Sequence, residues 1–379
     1  MPLVVVRLPP PEAADAIRRT WDMGRGVLVL DPRAPEAEIE RIVAGLDPDG
    51  EVGPDVAAVV VTSGTTGAPK GVELTFGGLQ ASARAVSDAL GVRTEKTGGG
   101  TGGDGGDRWL CCLPLHHVGG LAVLARSWTL GTPVEVLSRF DVDAVAASTA
   151  TLVSLVPVMA RRLLAAGVDL GRFRKILLGG GPVPADLPGI ATYGLTETWG
   201  GVVHGGRPLD GVEIVLGHDD EILVRGLVVM RGYRSPTGEA DTRAAFTADG
   251  WLRTGDAGTI DGRGRLRVID RLRDLVKTGG VSVAPSEVEA VLATHPGVAD
   301  VGVAGAPDPE WGERVVAFVV PADRSAPPTV DDLRSFARDR LSAAKLPRQV
   351  VVIDAVPRTP GGKPMRRLLT STPRPPGTS

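Results

Sequence analysis

The sequence predicts an α/β layered fold over most of the chain, a small β unit, and a smaller α+β domain at the end. Three observations carry this reading. Short apolar runs alternate with helix-length stretches from Val27 onward, the pattern of strands and helices in layered sheets. From Gly211 the runs alternate with turn residues, which predicts a small antiparallel β unit. After Arg273 comes a compact mixed segment of roughly a hundred residues, within the usual size of a domain. The expected boundaries are 1–272 for a large N-terminal domain and 273–379 for a C-terminal one.

Taken in order, Val27 to Leu30 and Ala57 to Val61 read as buried strands because apolar residues fill consecutive positions. Leu79 to Leu90 reads as a helix. Glu95 to Asp107 is glycine-rich without apolar periodicity and reads as a disordered surface insertion. Trp109 to Leu113, Val134 to Leu137 and Lys175 to Leu178 read as buried strands. Val142 to Ala160 contains no Lys or Arg, but Asp143, its Ser and Thr residues and Pro157 make it a buried helix followed by a strand or turn, not a membrane span.

In the β unit, Val212 to Leu216, Glu221 to Arg225 and Arg265 to Ile269 read as strands. In the last domain, Pro285 to Ala293 and Val330 to Leu341 read as helices, and Val298 to Ala304, Arg314 to Val320 and Gln349 to Ile353 as strands. Ser371 to Ser379 is rich in Pro, Ser and Thr and reads as a frayed, disordered tail.

Composition narrows the function classes. With 42% hydrophobic and 23% charged residues in 379, the chain has the profile of an ordinary soluble protein with a large core. A net charge of -3 gives no electrostatic case for nucleic acid or a membrane surface. Cys111 and Cys112 are adjacent in an apolar run, so they form neither a disulfide framework nor a metal site, and a reducing cytoplasm fits. The apolar start, Met1 to Pro10, is too short for a signal peptide. The oligomeric state stays open, a homodimer included.

The chemistry-bearing segment is Thr62-Ser63-Gly64-Thr65-Thr66-Gly67-Ala68-Pro69-Lys70-Gly71-Val72. Glycine lets backbone N–H groups approach an anion, Ser and Thr add hydroxyl donors, and Lys70 adds a point charge. Such a loop suits a polyphosphate, and alone it is equally a surface turn. It is not a P-loop, because Lys70 is followed by glycine and its spacing differs.

Further signals follow: Gly179-Gly180-Gly181-Pro182 at a strand end, Tyr193-Gly194-Leu195-Thr196-Glu197-Thr198, Arg253-Thr254-Gly255-Asp256, Asp270 to Lys277, and Pro357-Arg358-Thr359-Pro360-Gly361-Gly362-Lys363. Three of the six lysines, Lys70, Lys277 and Lys363, lie in these motifs of a chain that otherwise uses Arg. A compact ammonium suits a phosphoryl oxygen as a point charge.

Together and in this order, the motifs resemble the adenylate-forming superfamily of acyl-CoA ligases, firefly-luciferase-like enzymes and peptide-synthetase adenylation domains, from about Val56 to Leu369. The resemblance implies a large adenylate-forming domain, a small mobile C-terminal domain, and ATP-dependent activation of a small-molecule carboxylic acid with Mg²⁺ and coenzyme A. Thr62, Ser63, Gly64, Thr65, Thr66, Gly67 and Lys70 would cradle the β- and γ-phosphates. Gly179, Gly180 and Gly181 would lie along the adenine and the acyl pocket.

By the same resemblance Tyr193, with Gly194, would stack on adenine, Thr196 would touch the α-phosphate, and Glu197 would bind Mg²⁺. Asp256 would accept from the ribose hydroxyls and Arg271 would contact ribose or phosphate. Lys363 would stabilise the adenylation transition state, Arg273 would be the hinge, and the Lys277–Gly280 loop would meet the thiol channel. Taken singly, Tyr193 could be core, Asp256 a turn cap, Glu197 a helix cap, and Lys363 a solvated lysine.

Leu113 to Gly120 resembles the family stretch that lines the acyl pocket, with His117 the matching residue. Arg126 either meets a second substrate carboxylate or lies on a solvated face. The sequence departs from long relatives in two places. The first loop arrives at residue 62, about a hundred residues early, and only Val183 to Thr192 separates Gly181-Pro182 from Tyr193, where relatives carry a helix and another strand. Tyr193 to His204 with Gly206-Arg207-Pro208-Leu209 is most similar to compact actinobacterial 2-succinylbenzoate–CoA ligases. That substrate keeps a benzoate carboxylate, for which His117, Arg126 and His204 are the candidate partners.

Overall fold

The structure is a computed structural model that describes residues 1–63, 69–94, 106–358 and 364–371. The chain divides into two compact units. The first comprises Met1–Val215, Leu223–Thr254 and Ile260–Leu266, and the second Leu216–Ile222, Gly255–Thr259 and Arg267 onward.

The first unit holds two large sheets. In one, the strands Val4–Val6, Val27–Val29 and Val56–Ser63 run parallel, joined by the helices Pro10–Asp22 and Glu36–Leu46. Parallel neighbours need such crossovers. Trp21, 2% exposed, donates its indole N–H to the Ala57 carbonyl and locks the first helix onto the sheet. Val56–Ser63 then pairs antiparallel with Pro69–Thr75, which pairs with the edge strand Gly232–Arg234. Thr62 faces Lys70 and Ser63 faces Pro69 in this register, so both ends of the hydroxyl-rich loop are set in the sheet.

The other sheet has seven strands. Val134–Val136, Trp109–Cys111, Leu152–Leu155, Lys175–Leu178 and Ile190–Leu195 lie parallel in that spatial order, and Gly200–His204 and Arg207–Pro208 extend it antiparallel. The helices Val118–Leu130, Val142–Ala147 and Pro157–Ala165 make the crossovers. Between Leu178 and Ile190 the chain crosses without any helix, and Leu187 fills the adjoining core beside Leu178 and Phe173. This is the shortening expected from the sequence.

A four-stranded sheet orders Glu213–Leu216, Glu221–Arg225, Leu252–Ile260 and Leu266–Arg271. In the second unit, Val298–Asp308 and Gly312–Pro321 form a long antiparallel pair, with Gln349–Val352 parallel to the latter. The helices Pro285–Leu292 and Val330–Ala337 cover its apolar face through Val288, Leu292 and Leu333. No helix among the described residues is long and apolar enough to cross a membrane.

Several expectations need correction. The strand expected at Val298 to Ala304 continues to Asp308, and the helix expected to reach Leu341 ends at Ala337. Ser371 is the last residue of a short helix, Arg366–Ser371, and not the start of a tail; residues 372–379 lie outside the described residues. Of the glycine-rich stretch, residues 95–105 also lie outside them, but Asp107 does not belong to a surface insertion. It is fully buried. Its carboxylate accepts from Arg174 Nε at 2.8 Å, the Thr151 hydroxyl at 2.8 Å and the Arg93 backbone N–H at 2.7 Å. Composition hid this, because the signal is a specific charge pair formed across the fold.

Burial alone would raise the Asp107 pKa, but Arg174, the Arg93 amide and Thr151 outweigh it and hold the carboxyl below its usual value. Its contribution to stability is therefore complete above the ordinary aspartate pKa near 3.9 and is lost as pH falls through the lower folded value. Asp107→Asn should destabilise the protein by about 3 kcal/mol at pH 7, because it strands the guanidiniums, and the loss should shrink below about pH 4. Urea unfolding at both pH values measures this.

Candidate active site

The turn Thr196–Thr198 joins the strands Ile190–Leu195 and Gly200–His204. Buried Thr198 staples it, accepting from the Leu195 N–H at 3.0 Å and donating to the Gly200 carbonyl at 2.8 Å. The strands meet so closely that a Cβ at Gly194 would lie 1.7 Å from the Gly200 carbonyl oxygen, so only glycine fits there. Trp199 follows the turn in the left-handed region, at φ 54°, and is 1% exposed. Its indole N–H donates to the Thr75 carbonyl at 3.1 Å, and its ring packs where a Cβ at Gly78 would otherwise sit. The turn with Thr196 and Glu197 is thereby fixed to the end of the strand Pro69–Thr75, which carries Lys70 near its start.

Glu197 is half-buried. It does not cap a helix. Its Oε1 accepts from the Tyr233 hydroxyl at 2.8 Å, and its backbone carbonyl accepts from the Met230 N–H at 2.7 Å. Lys70 Nζ lies 5.5 Å from the centre of the Tyr233 ring and 2.9 Å from Asp241 Oδ1. Hydrogen bonds from Lys70 and Thr237 hold the Asp241 carboxyl below its usual pKa. Tyr233, Asp241 and Thr237 escaped the sequence reading. One signal was available, since the chain has only two tyrosines, Tyr193 and Tyr233.

Thr62 is half-buried and donates to the Lys70 carbonyl at 3.4 Å. Ser63 ends its strand, and Gly64, Thr65, Thr66 and Gly67 lie outside the described residues. Gly179 follows its strand, and a Cβ there would meet Thr192 Oγ1 at 2.5 Å; Gly180 has φ +78° and Gly181 is half-buried. Tyr193 is half-buried in its strand, so it is not simple core.

A second group of side chains lies in the same unit. Arg126, on the helix Val118–Leu130, is 6% exposed and not on a solvated face. Its Nη1 donates to Ser154 Oγ at 3.3 Å and its guanidinium stacks 4.6 Å from the Trp109 ring centre. It forms no ion pair among the described residues, and burial lowers its pKa to about 10. His204 is 9% exposed, and burial followed by the Arg126 charge lowers its pKa to about 4. Its buried Nδ1 has no hydrogen-bond partner among the described residues.

His117 precedes the Arg126 helix and lies against His116, with ring centres 4.4 Å apart and the rings tilted by 56°. His117 is accessible, yet surrounding protein lowers its pKa. His116 is pushed down to about 4 by desolvation and His117, despite Asp31 at 3.8 Å. Cys111 and Cys112 are buried free thiols raised to about 12, which makes them inert at neutral pH.

In the second unit Asp256 sits within a strand and is 6% exposed, so it is not a turn cap; it pairs with Arg271 Nε at 2.7 Å. Lys277 lies in a hairpin whose turn, Gly279-Gly280, has positive φ at both residues, and its Nζ donates to Ser282 Oγ at 2.8 Å. Arg273 is exposed beside Asp274 in a short turn. Lys363 lies outside the described residues. The segment that carries it is bounded by a β-bridge between Arg358 and Pro364, by Arg358 Nη2 on Asp300 at 2.6 Å, and by Arg366 Nη2 on Glu289 at 3.0 Å.

Among the described residues no group of three or more His, Cys, Asp or Glu side chains could hold a metal ion. Glu197, with one oxygen engaged by Tyr233, would offer a cation a single carboxylate. That donor set fits Mg²⁺ held mainly by phosphate oxygens and water, and not a metal caged by protein.

Residues 4–234 match the model of the AMP-binding enzyme family, and residues 287–363 match that of the AMP-binding enzyme C-terminal domain. A 2-succinylbenzoate–CoA ligase of Bacillus velezensis is 36% identical, over 90% of this chain and 77% of that protein. A probable 2-succinylbenzoate–CoA ligase of Mycobacterium tuberculosis is 37% identical, over 87% of this chain and 88% of that protein. The solved structure of the Bacillus subtilis o-succinylbenzoate CoA synthetase with its acyl-adenylate intermediate has a TM-score of 0.76 at 33% identity, covering 95% of this chain and 81% of that one. The same enzyme with ATP and magnesium ion has a TM-score of 0.80 at 29% identity, covering 97% and 88%. The chain is therefore a member of the AMP-binding enzyme family, matched in both its large domain and its C-terminal domain.

Proposed function

We propose that this chain is an AMP-forming acid–CoA ligase that converts 2-succinylbenzoate, ATP and CoA into 2-succinylbenzoyl-CoA, AMP and diphosphate, as in menaquinone biosynthesis. The observation that carries the choice of acid is Arg126, a buried guanidinium with no carboxylate partner among the described residues. A buried charge is normally paired. A substrate that keeps a second carboxylate after the first is activated would supply the pair, with the orphaned His204 Nδ1 as a second donor. The buried reduced thiols Cys111 and Cys112 suit a cytoplasmic enzyme.

In the first half-reaction a carboxylate oxygen attacks the α-phosphorus of ATP, and the bond to diphosphate breaks. The main obstacle is repulsion between anions, so the protein acts by positioning and charge neutralisation. Lys70, at the end of the hydroxyl-rich loop, would neutralise the departing phosphates. In this structure its ammonium rests on Asp241, so phosphate would take the place of that carboxylate. Thr196 would donate to the α-phosphate, Glu197 would hold Mg²⁺, and Lys363 would meet the charge that develops on the α-phosphate. Held there, Mg²⁺ would supply positive charge against the phosphate oxygens. Asp256 and Arg271 are assigned to ribose and phosphate. In the second half-reaction the CoA thiol, as thiolate, attacks the acyl carbon, its bond to the adenylate oxygen breaks, and AMP leaves. Arg273 is assigned as the hinge between half-reactions, with the Lys277 hairpin serving the thiol channel.

Incubation with ATP, Mg²⁺, CoA and a panel of acids should give AMP and a thioester with 2-succinylbenzoate as the preferred acid. ADP as the only nucleotide product would overturn the chemistry, and preference for another acid would overturn the substrate. Lys363→Ala should slow adenylation by about 10²-fold or more while sparing thioester formation from preformed adenylate.

Arg126→Met should raise KM for 2-succinylbenzoate about 10- to 100-fold, the worth of a charged hydrogen bond. It should leave KM for 4-oxo-4-phenylbutanoate, which lacks the ring carboxylate, within about twofold, because that acid presents no charge to Arg126. Equal losses for both acids would count against the pairing.

His204 has a folded pKa of about 4, below the unfolded value of about 6.5. Between these values the unfolded chain binds the extra proton, so stability falls as pH drops from about 6.5 towards 4, by up to about 3 kcal/mol. His204→Phe should flatten that limb in urea unfolding measured across the same range.

A further inference from the structure

Tyr233 lies on the edge strand Gly232–Arg234, opposite Val72 of the strand Pro69–Thr75 that carries Lys70. Its backbone N–H donates to Thr242 Oγ1 at 2.8 Å, which ties the edge strand to the helix Gly238–Ala245. A Cβ at Gly232 would meet that same Oγ1 at 2.8 Å, so the close approach requires glycine beside Tyr233. The backbone at Tyr233 is thus held by the neighbouring strand and by the helix. The Tyr233 hydroxyl donates to Glu197 Oε1 at 2.8 Å, and Lys70 Nζ lies 5.5 Å from its ring centre. Met230, three residues earlier, holds the Glu197 carbonyl through its N–H at 2.7 Å. One short segment therefore grips Glu197 by both backbone and side chain.

We propose that Tyr233 is a positioning residue for the adenylation step: its hydroxyl orients Glu197 so that the other carboxylate oxygen faces the nucleotide-bound divalent cation, while its ring seats Lys70 beside the same phosphates. This rests on Glu197 as the Mg²⁺ ligand. The physical ground is that a carboxylate free to rotate loses conformational entropy on binding a cation, whereas one oxygen already anchored leaves the other in place. Partners that fix metal-binding carboxylates typically alter metal affinity 10- to 100-fold. A tyrosine meets both demands, since the hydroxyl serves the carboxylate and the ring face serves the ammonium.

The test uses Mn²⁺ as the probe, read by electron paramagnetic resonance in the presence of α,β-methylene-ATP, which cannot be cleaved at the bond broken in adenylation. Tyr233→Phe keeps the ring and removes only the hydroxyl. It should raise the Mn²⁺ dissociation constant about tenfold and leave affinity for the metal-free nucleotide, read by calorimetry in EDTA, within about twofold, since the Lys70 seat remains. Glu197→Gln should lose most of the Mn²⁺ affinity, and adding Tyr233→Phe to it should cost nothing further, because both act through one carboxylate. Wild-type Mn²⁺ affinity in Tyr233→Phe overturns the proposal. So does an equal loss of metal-bound and metal-free nucleotide, the mark of a merely structural tyrosine, and so does additivity in the double variant. If Glu197→Gln itself binds Mn²⁺ normally, the assignment of Glu197 fails and the proposal fails with it, a pattern distinct from failure of Tyr233→Phe alone.

Discussion

The hydrogen bond from the Trp199 indole to the Thr75 carbonyl is the joint on which the arrangement of the site depends. Thr75 ends the strand that carries Lys70 near its start, and Trp199 ends the turn that carries Thr196 and Glu197. The two sheets of the first unit would otherwise place these groups independently. Burial of a full indole at 1% exposure and its single polar atom's bond to a backbone carbonyl make the joint stiff. Its cost is visible in the left-handed backbone at Trp199, a conformation that few bulky residues adopt. Gly78 and Gly194 are the complementary small residues, each removing a side chain from a place where backbone or indole must pass.

The chain holds its sheltered charges in two different ways. Lys70 has an internal counter-ion in Asp241, and Asp256 has one in Arg271. Such pairs keep both charges satisfied within the chain itself. Arg126 instead has a hydroxyl and an aromatic face, neither of which carries a negative charge. A paired cation exchanges partners, whereas a buried unpaired one gains its first.

The legible part of this fold was what is written in contiguous residues. The valine run before Thr62, the glycines after Leu178 and the Tyr193 to Thr198 turn each combine local composition with a local conformation, so a linear reading finds them. Tyr233 and Asp241 were not legible, because what gives them meaning is an edge strand pairing with a segment over 150 residues earlier in the chain. Asp107 was misread for the same reason: its partners Arg93, Thr151 and Arg174 flank it on distant segments, and glycine content nearby outweighed them in a compositional reading. Arg126 was left between two readings since a helix pattern without its neighbours does not say which face is covered. Burial decided it.

Contacts between described residues fix both ends of the segment 359–363. Arg358 is tied to Asp300 on one side of the segment, Arg366 to Glu289 on the other, and Arg358 bridges to Pro364 across it. Closing such a short span is an entropic debt that the folded unit has already settled. Loss of either ion pair would loosen the second unit's own packing at that end of the segment.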